Sequence, residues 1–261
     1  MTELAYLMYH EIEREGCALA DNSATYKRYA VKEREFHNQL KMLSRTEFHA
    51  LSVSEALSLS SPSLSVAMTF DDGCETDLTV AVPALQEFGF QATFYVVPDF
   101  FGQTGYLSGS QVRKISDWGF EVGCHSRTHA NLCKLDAKRL YEEVAIAKAD
   151  IEQAIGREVR HFSCPGGFWS PRVAKTVCSA GFASLATSRI GLNSPLSDRY
   201  RLARIAVYRG GDLAQFERTC RGSGLFLRRN VQSFLTGAKA LLGDSRYRRV
   251  RSKILTHKFI P

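Results

Sequence analysis

The sequence predicts one α/β catalytic domain of parallel strands joined by helical crossovers, closing into a barrel or an open sheet. Two patterns carry this expectation. Short β-branched and aromatic runs alternate with segments of helical period from Leu4 to Tyr208. Polar clusters fall where three of those runs stop or begin, and the C-terminal ends of parallel strands are where α/β folds build their sites. With 261 residues, 44% of them hydrophobic, the chain can bury a full core without disulfides or a structural metal.

The elements follow in order. Leu4–Tyr9 is an apolar run that suits a strand, and Glu33–Leu43 places Phe36, Leu40 and Leu43 at helical spacing. Ser65–Phe70 reads as a strand that stops at Asp71-Asp72-Gly73. Thr76–Phe88 is helical in composition, with Pro83 bending it or marking a first turn. Ala92–Val97 is β-branched and aromatic, hence a buried strand. Ser110 is placed to cap a helix running to Trp118, and Phe120–Cys124 is the next strand. Asp136–Ile155 is the clearest helix, with Leu140, Val144, Ala147, Ile151 and Ile155 on one stripe. Val159–Ser163 and Phe182–Ala186 read as strands around a helix at Pro171–Ala180, and Leu202–Tyr208 is the last strand. From Leu225 the helical period returns in a segment rich in arginine. The expected organisation is therefore a catalytic domain at 1–224 and a basic amphipathic helical extension at 225–261.

Seven cysteines, an odd number with no CxxC spacing, argue against a disulfide framework and for a reducing compartment. Met1–Met8 carries Glu3 and lacks a basic leader, so it does not read as a signal peptide. No apolar run is long enough to cross a bilayer. These readings lead us to expect a cytoplasmic protein. The net charge of +7 gathers late, in Arg228, Arg229, Arg246, Arg248, Arg249, Arg251 and Lys253. Such a run is usually a solvated helix face, and it also suits peripheral contact with the inner membrane surface. No nucleic-acid module accompanies it, so a nucleic-acid partner is not expected.

Three clusters carry chemistry. Asp71 and Asp72, adjacent after a strand, repel each other unless a cation lies near. A metal makes one a ligand and leaves the other free as a general base. Taken alone, Asp-Asp-Gly is equally an ordinary turn. His125 and His129, four residues apart, can bind one metal, and with a carboxylate they make a His₂-carboxylate site with open positions. Alone, such a pair is commonly a surface pair. Arg160 opens the strand that ends at Cys164-Pro165-Gly166-Gly167. An arginine can hold a carboxylate in a fixed fork, and a Pro-Gly-Gly turn can expose N–H groups to an oxyanion. Trp169 is placed to line a sugar site. Arg204, on the last strand, is placed to enter the site and contact substrate. Cys124 and Cys164 read as small buried fillers.

Together these segments resemble the polysaccharide deacetylase family, the NodB-homology or carbohydrate esterase family 4 enzymes. TFDDG at 69–73, HSRTH at 125–129 and RHFSCPGG at 160–167 are similar in order and spacing to that family's first three motifs. The resemblance implies a distorted or incomplete (β/α) barrel of about seven strands, with a C-terminal helical appendage in this chain. It implies Asp71 as the base, Asp72, His125 and His129 as ligands of a divalent metal, usually zinc, and Arg160 orienting Asp71. The Gly166 N–H would help form the oxyanion hole, where an aromatic residue is more usual. The family's late Leu-x-His motif, which supplies the general acid, is missing from its usual place. Leu255-Thr256-His257 matches it formally. Members with permuted motif order place this histidine at the start, which favours His10, closing the strand Leu4–Tyr9. The implied reaction is metal-dependent removal of an acetyl group from the nitrogen of an amino sugar. Its expected substrate is a poly- or oligosaccharide, a lipid-linked saccharide or a nucleotide sugar. A non-catalytic carbohydrate-binding protein on the same fold is the alternative.

Overall fold

The structure is a computed structural model and describes residues 3–59 and 64–225. The basic extension read from the sequence, together with His257, lies outside the described residues apart from Leu225. Among the described residues no helix is long and apolar enough to cross a membrane.

The chain opens with β1 (Ala5–Tyr9), every residue of which is buried, as a strand covered on both faces requires. β2 (Ile12–Glu13) and β3 (Val31–Lys32) form a small separate sheet around α1 (Ala24–Tyr29). α2 (Glu33–Arg45) buries Phe36, Leu40 and Leu43, the stripe seen in the sequence. β4 (His49–Leu51) and α3 (Val53–Ser58) follow, the helix started by a reciprocal Ser52–Glu55 capping box. β5 (Ser65–Phe70) leads into a π-helical turn at Asp77–Ala81 that continues as α4 (Val82–Glu87). The wide turn lies just ahead of Pro83, which has no N–H to close a regular one.

After β6 (Thr93–Val96), α5 (Gly109–Asp117) starts at Ser108, which is capped reciprocally by Gln111. The cap is two residues earlier than expected at Ser110, because only Ser108 has a Gln three residues on. β7 (Glu121–Cys124) is followed by α6 (Ala137–Tyr141) and α7 (Ala147–Ile155), joined by a π turn at Glu142–Ile146. The helix expected at Asp136–Ile155 is thus continuous in space, with Asp136 as its cap. β8 (His161–Ser163), α8 (Pro171–Ser179), β9 (Ser184–Ala186), β10 (Ile205–Ala206) and α9 (Leu213–Cys220) complete the described chain.

Seven strands form one curled parallel sheet in the order β10-β1-β5-β6-β7-β8-β9, with β4 added beside β5. The sheet is an incomplete barrel, as the resemblance implied. Leu202 bridges Ala186, and Ile205 and Ala206 pair with Leu7 and Met8, so this short segment spans from β9 to β1 and nearly closes the curl. Val66, Met68 and Phe70 pack outward against the helices, whereas Tyr6, Ala67, Tyr95, Ala186 and Leu202 fill the interior. The interior is tight. A Cβ on Gly123 would come 2.4 Å from the Tyr95 ring, so glycine is required for that ring to cross the barrel.

Candidate active site

The Asp71 N–H donates to the Tyr9 carbonyl at 3.0 Å, extending the β1–β5 ladder one residue past the strand. That register sets His10 beside Asp71 at the C-terminal mouth of the barrel. The chain then turns through Asp72 (φ 81°) and Gly73 (φ 74°), with Gly73 packed on Val96. Ser126 and His129 also have positive φ, both at 61°. Left-handed backbone at non-glycine residues costs roughly 1–3 kcal/mol each and persists where the surroundings impose it. Of four such residues among those described, three line this site.

Asp72 Oδ1 lies 3.5 Å from His125 Nε2 and 3.4 Å from His129 Nε2. It is buried with no hydrogen-bond partner. Among the described residues these three form the one His/Cys/Asp/Glu group close enough to share an ion. Tetrahedral coordination at zinc–ligand distances of about 2.0–2.1 Å makes ligand–ligand edges of about 3.3 Å, so the donors fit a zinc-sized ion. His125 is buried, and its Nδ1 donates to the Ser163 carbonyl at 3.0 Å. This leaves the Nε2 lone pair facing Asp72 and His129. Burial is the main reason the His125 pKa is pushed down to about 4, which keeps the ring in its neutral, ligating form. The histidine loop is held from below by buried Glu143, which accepts from the N–H groups of Arg127 and Thr128 at 3.0 and 2.9 Å and from the Thr128 hydroxyl at 2.6 Å. Glu143 was not legible as a site residue, since an acid beside Glu142 in an amphipathic helix reads as solvated.

Asp71 is fixed by Arg204. The guanidinium spans the carboxylate with two bonds of 2.7 Å, Nη1 to Oδ1 and Nη2 to Oδ2, and both side chains are buried. Thr69, Ser163 and the Thr187 carbonyl accept the remaining bonds of the fork. Burial alone would raise the Asp71 pKa, but the Arg204 charge and then His125 outweigh it, and the carboxyl stays well below its usual range. Two expectations are corrected here. Arg160 does not orient Asp71: it is exposed, precedes β8, and lines a pocket with Glu55, Arg157 and Glu158 at the opposite, N-terminal mouth of the barrel. Arg204 is a buried partner of Asp71, with its donors engaged by protein groups, and is not a substrate contact. The available signal was an arginine between the apolar Ala203 and Ile205, which needs a buried partner.

Trp169 follows the Pro-Gly-Gly turn. Its indole N–H donates to the Tyr200 carbonyl at 2.8 Å, and Arg201 covers its ring at 4.4 Å. The ring is half-buried and anchored to the wall by its N–H. Gly166 (φ 58°) lies just beyond β8 at the site end. The N–H groups of Gly167 and Phe168 are engaged by the Cys164 and Pro165 carbonyls.

A family model described as polysaccharide deacetylase matches residues 59–185, the stretch that carries Asp71, Asp72, His125 and His129. Over that stretch, just under half of the chain, the sequence matches the polysaccharide deacetylase family. Its matched relatives include a chitooligosaccharide deacetylase of Bradyrhizobium sp. (strain ANU 289), 30% identical over 46% of this chain and 54% of that protein. Another, from Sinorhizobium fredii, is 32% identical over 46% of this chain and 55% of that protein. The chain thus spans little more than half the length of these relatives. Among solved structures, the Streptococcus pyogenes deacetylase PplD superposes with a TM-score of 0.74 at 19% identity, covering 84% of this chain and 98% of that one. IcaB from Ammonifex degensii gives 0.68 at 24% identity, covering 84% and 96%. At these identities the likeness establishes the shared fold.

Proposed function

We propose that this chain is a metal-dependent N-deacetylase acting on an acetylated amino sugar in a saccharide. The observation that carries the reading is the pair of adjacent carboxylates with divided tasks. Asp72 Oδ1 lies within 3.5 Å of both histidines, while Asp71, its Oδ2 3.8 Å from His125 Nε2, has both oxygens held in the Arg204 fork. A divalent ion such as zinc, held by Asp72, His125 and His129, would supply Lewis-acid polarisation and lower the pKa of water. Asp71, kept ionised and oriented by Arg204, takes the proton of the attacking water. The Gly166 N–H would donate to the developing oxyanion. His10, beside Asp71, gives a proton to the departing sugar nitrogen, so that acid and base reside on separate groups. The relatives named chitooligosaccharide deacetylases support a chitin-like oligosaccharide as the first substrate to try.

The test pairs metal analysis with acetate release. Wild type is expected to bind about one zinc, the number this donor set can hold, and to release acetate from a pentamer of N-acetylglucosamine. The His125→Ala/His129→Ala variant should lose both. Zinc binding with no acetate released from any N-acetylated saccharide would leave a carbohydrate-binding protein as the better reading.

A further inference from the structure

The proposed acid, His10, is oriented in an unusual way. A catalytic imidazole is normally fixed by a hydrogen bond from its far ring nitrogen to a carboxylate or carbonyl, which also sets the tautomer. Here His10 Nδ1 is buried and has no hydrogen-bond partner. The contact that the imidazole does make is with an aromatic ring: Tyr29, 4.7 Å between centroids and tilted by 51°. Tyr29 is itself held from behind by Tyr208 at 5.1 Å, and Tyr208 is covered by the Arg28 guanidinium at 4.4 Å. The three rings form a chain of tilted contacts leading away from His10. Tyr29 is the last residue of α1, and Tyr208 follows β10, which pairs with β1. The Arg209 N–H donates to the Arg28 carbonyl at 3.0 Å, tying the two elements together.

We infer that Tyr29 is a positioning residue for His10, its ring packing setting the imidazole where a hydrogen-bonding acid would otherwise do so. The inference rests on the assignment of His10 as proton donor. An aromatic face also suits the protonated ring, since a cation over a tyrosine is attracted by the ring quadrupole. The hydroxyl is not needed for either effect. The proton lost by the imidazolium ends on the sugar nitrogen as the carbon–nitrogen bond breaks, so the step balances without another donor.

The experiment compares Tyr29→Ala, Tyr29→Phe and His10→Ala, each zinc-loaded, on two substrates. One is the N-acetylglucosamine pentamer, whose amine must be protonated to leave. The other is 4-methylumbelliferyl acetate, whose phenolate leaves without a proton. His10→Ala should lower kcat on the pentamer by about 10²-fold or more, the usual worth of a general acid. Tyr29→Ala should lower it by about 10- to 100-fold, as for a misplaced catalytic group, with KM, zinc content and ester hydrolysis nearly unchanged. Tyr29→Phe should restore the amide rate. Equal losses on ester and amide would reduce Tyr29 to a structural role and overturn the inference, as would normal amide turnover in Tyr29→Ala beside a crippled His10→Ala. Full amide turnover in His10→Ala would instead sink the acid assignment and the inference with it. Independently of turnover, the His10 ring-proton resonances should move in Tyr29→Ala and stay put in Tyr29→Phe. Unmoved resonances in both would also overturn it.

Discussion

Replacing Arg204 by Met removes the cation that neutralises Asp71 while keeping an unbranched apolar side chain in the barrel. Arg204 is 1% exposed, and its five hydrogen bonds reach Thr69, both Asp71 oxygens, Ser163 and the Thr187 carbonyl. Removing one member of a buried ion pair leaves an uncompensated charge and costs about 3–5 kcal/mol. Asp71 has a depressed folded pKa, so its stabilising contribution is complete above the ordinary carboxylate value and is lost as pH falls through the depressed one. At pH 7 the whole effect is therefore present, and urea unfolding at that pH should show it. Arg204→Met/Asp71→Asn, which also removes the stranded charge, should be more stable than Arg204→Met by about 0.5–3 kcal/mol, the range of coupling between contacting residues. Arg160→Ala, at the exposed far mouth, should stay within about 0.5 kcal/mol of wild type. An Arg204→Met protein within about 1 kcal/mol of wild type, or a double variant no better than the single one, would refute the pairing argument.

Gly123→Ala should destabilise the barrel by about 1–3 kcal/mol, because the new Cβ would meet the Tyr95 ring at 2.4 and 2.6 Å and the His161 carbonyl at 3.0 Å. Thermal unfolding in a Tyr95→Leu background should show most of that cost removed, and an equal cost there would sink the explanation. Glu121 gives a pH prediction. Burial would raise its carboxyl, but His161, by hydrogen bond and by charge, lowers it below the ordinary value. Its stability contribution is thus present above about 4.3, the ordinary glutamate value, and fades as pH falls through the depressed one. Glu121→Gln should flatten the acid limb of unfolding free energy against pH, and an unchanged limb would count against this pair.

What was legible in the sequence was local. Asp71 and Asp72 are neighbours, His125 and His129 share one turn, and strand–helix alternation needs only short windows. The cluster of Asp72, His125 and His129 and the parallel α/β class could therefore be read from residue type and period, whereas the incomplete barrel was implied by the family resemblance. The arginine could not. Arg160 and Arg204 both stand at the edge of a short apolar strand, and choosing between them means knowing which end and which face of the sheet each occupies. Arg160 precedes β8, so its side chain lies at the N-terminal mouth, far from the base. Arg204 shares the inward phase of Leu202, and the near-closure of the barrel brings it onto Asp71, 133 residues earlier in the chain. Tyr29 reaches His10 by a shorter route, through the pairing of β2 with β3, which sets Ile12 beside Val31. Sequence by itself determined the parallel α/β class and the clustering of Asp72, His125 and His129, because those depend on period and adjacency. Only the curl of the sheet decided which buried cation holds Asp71, because that contact forms across the barrel and leaves no short-range trace.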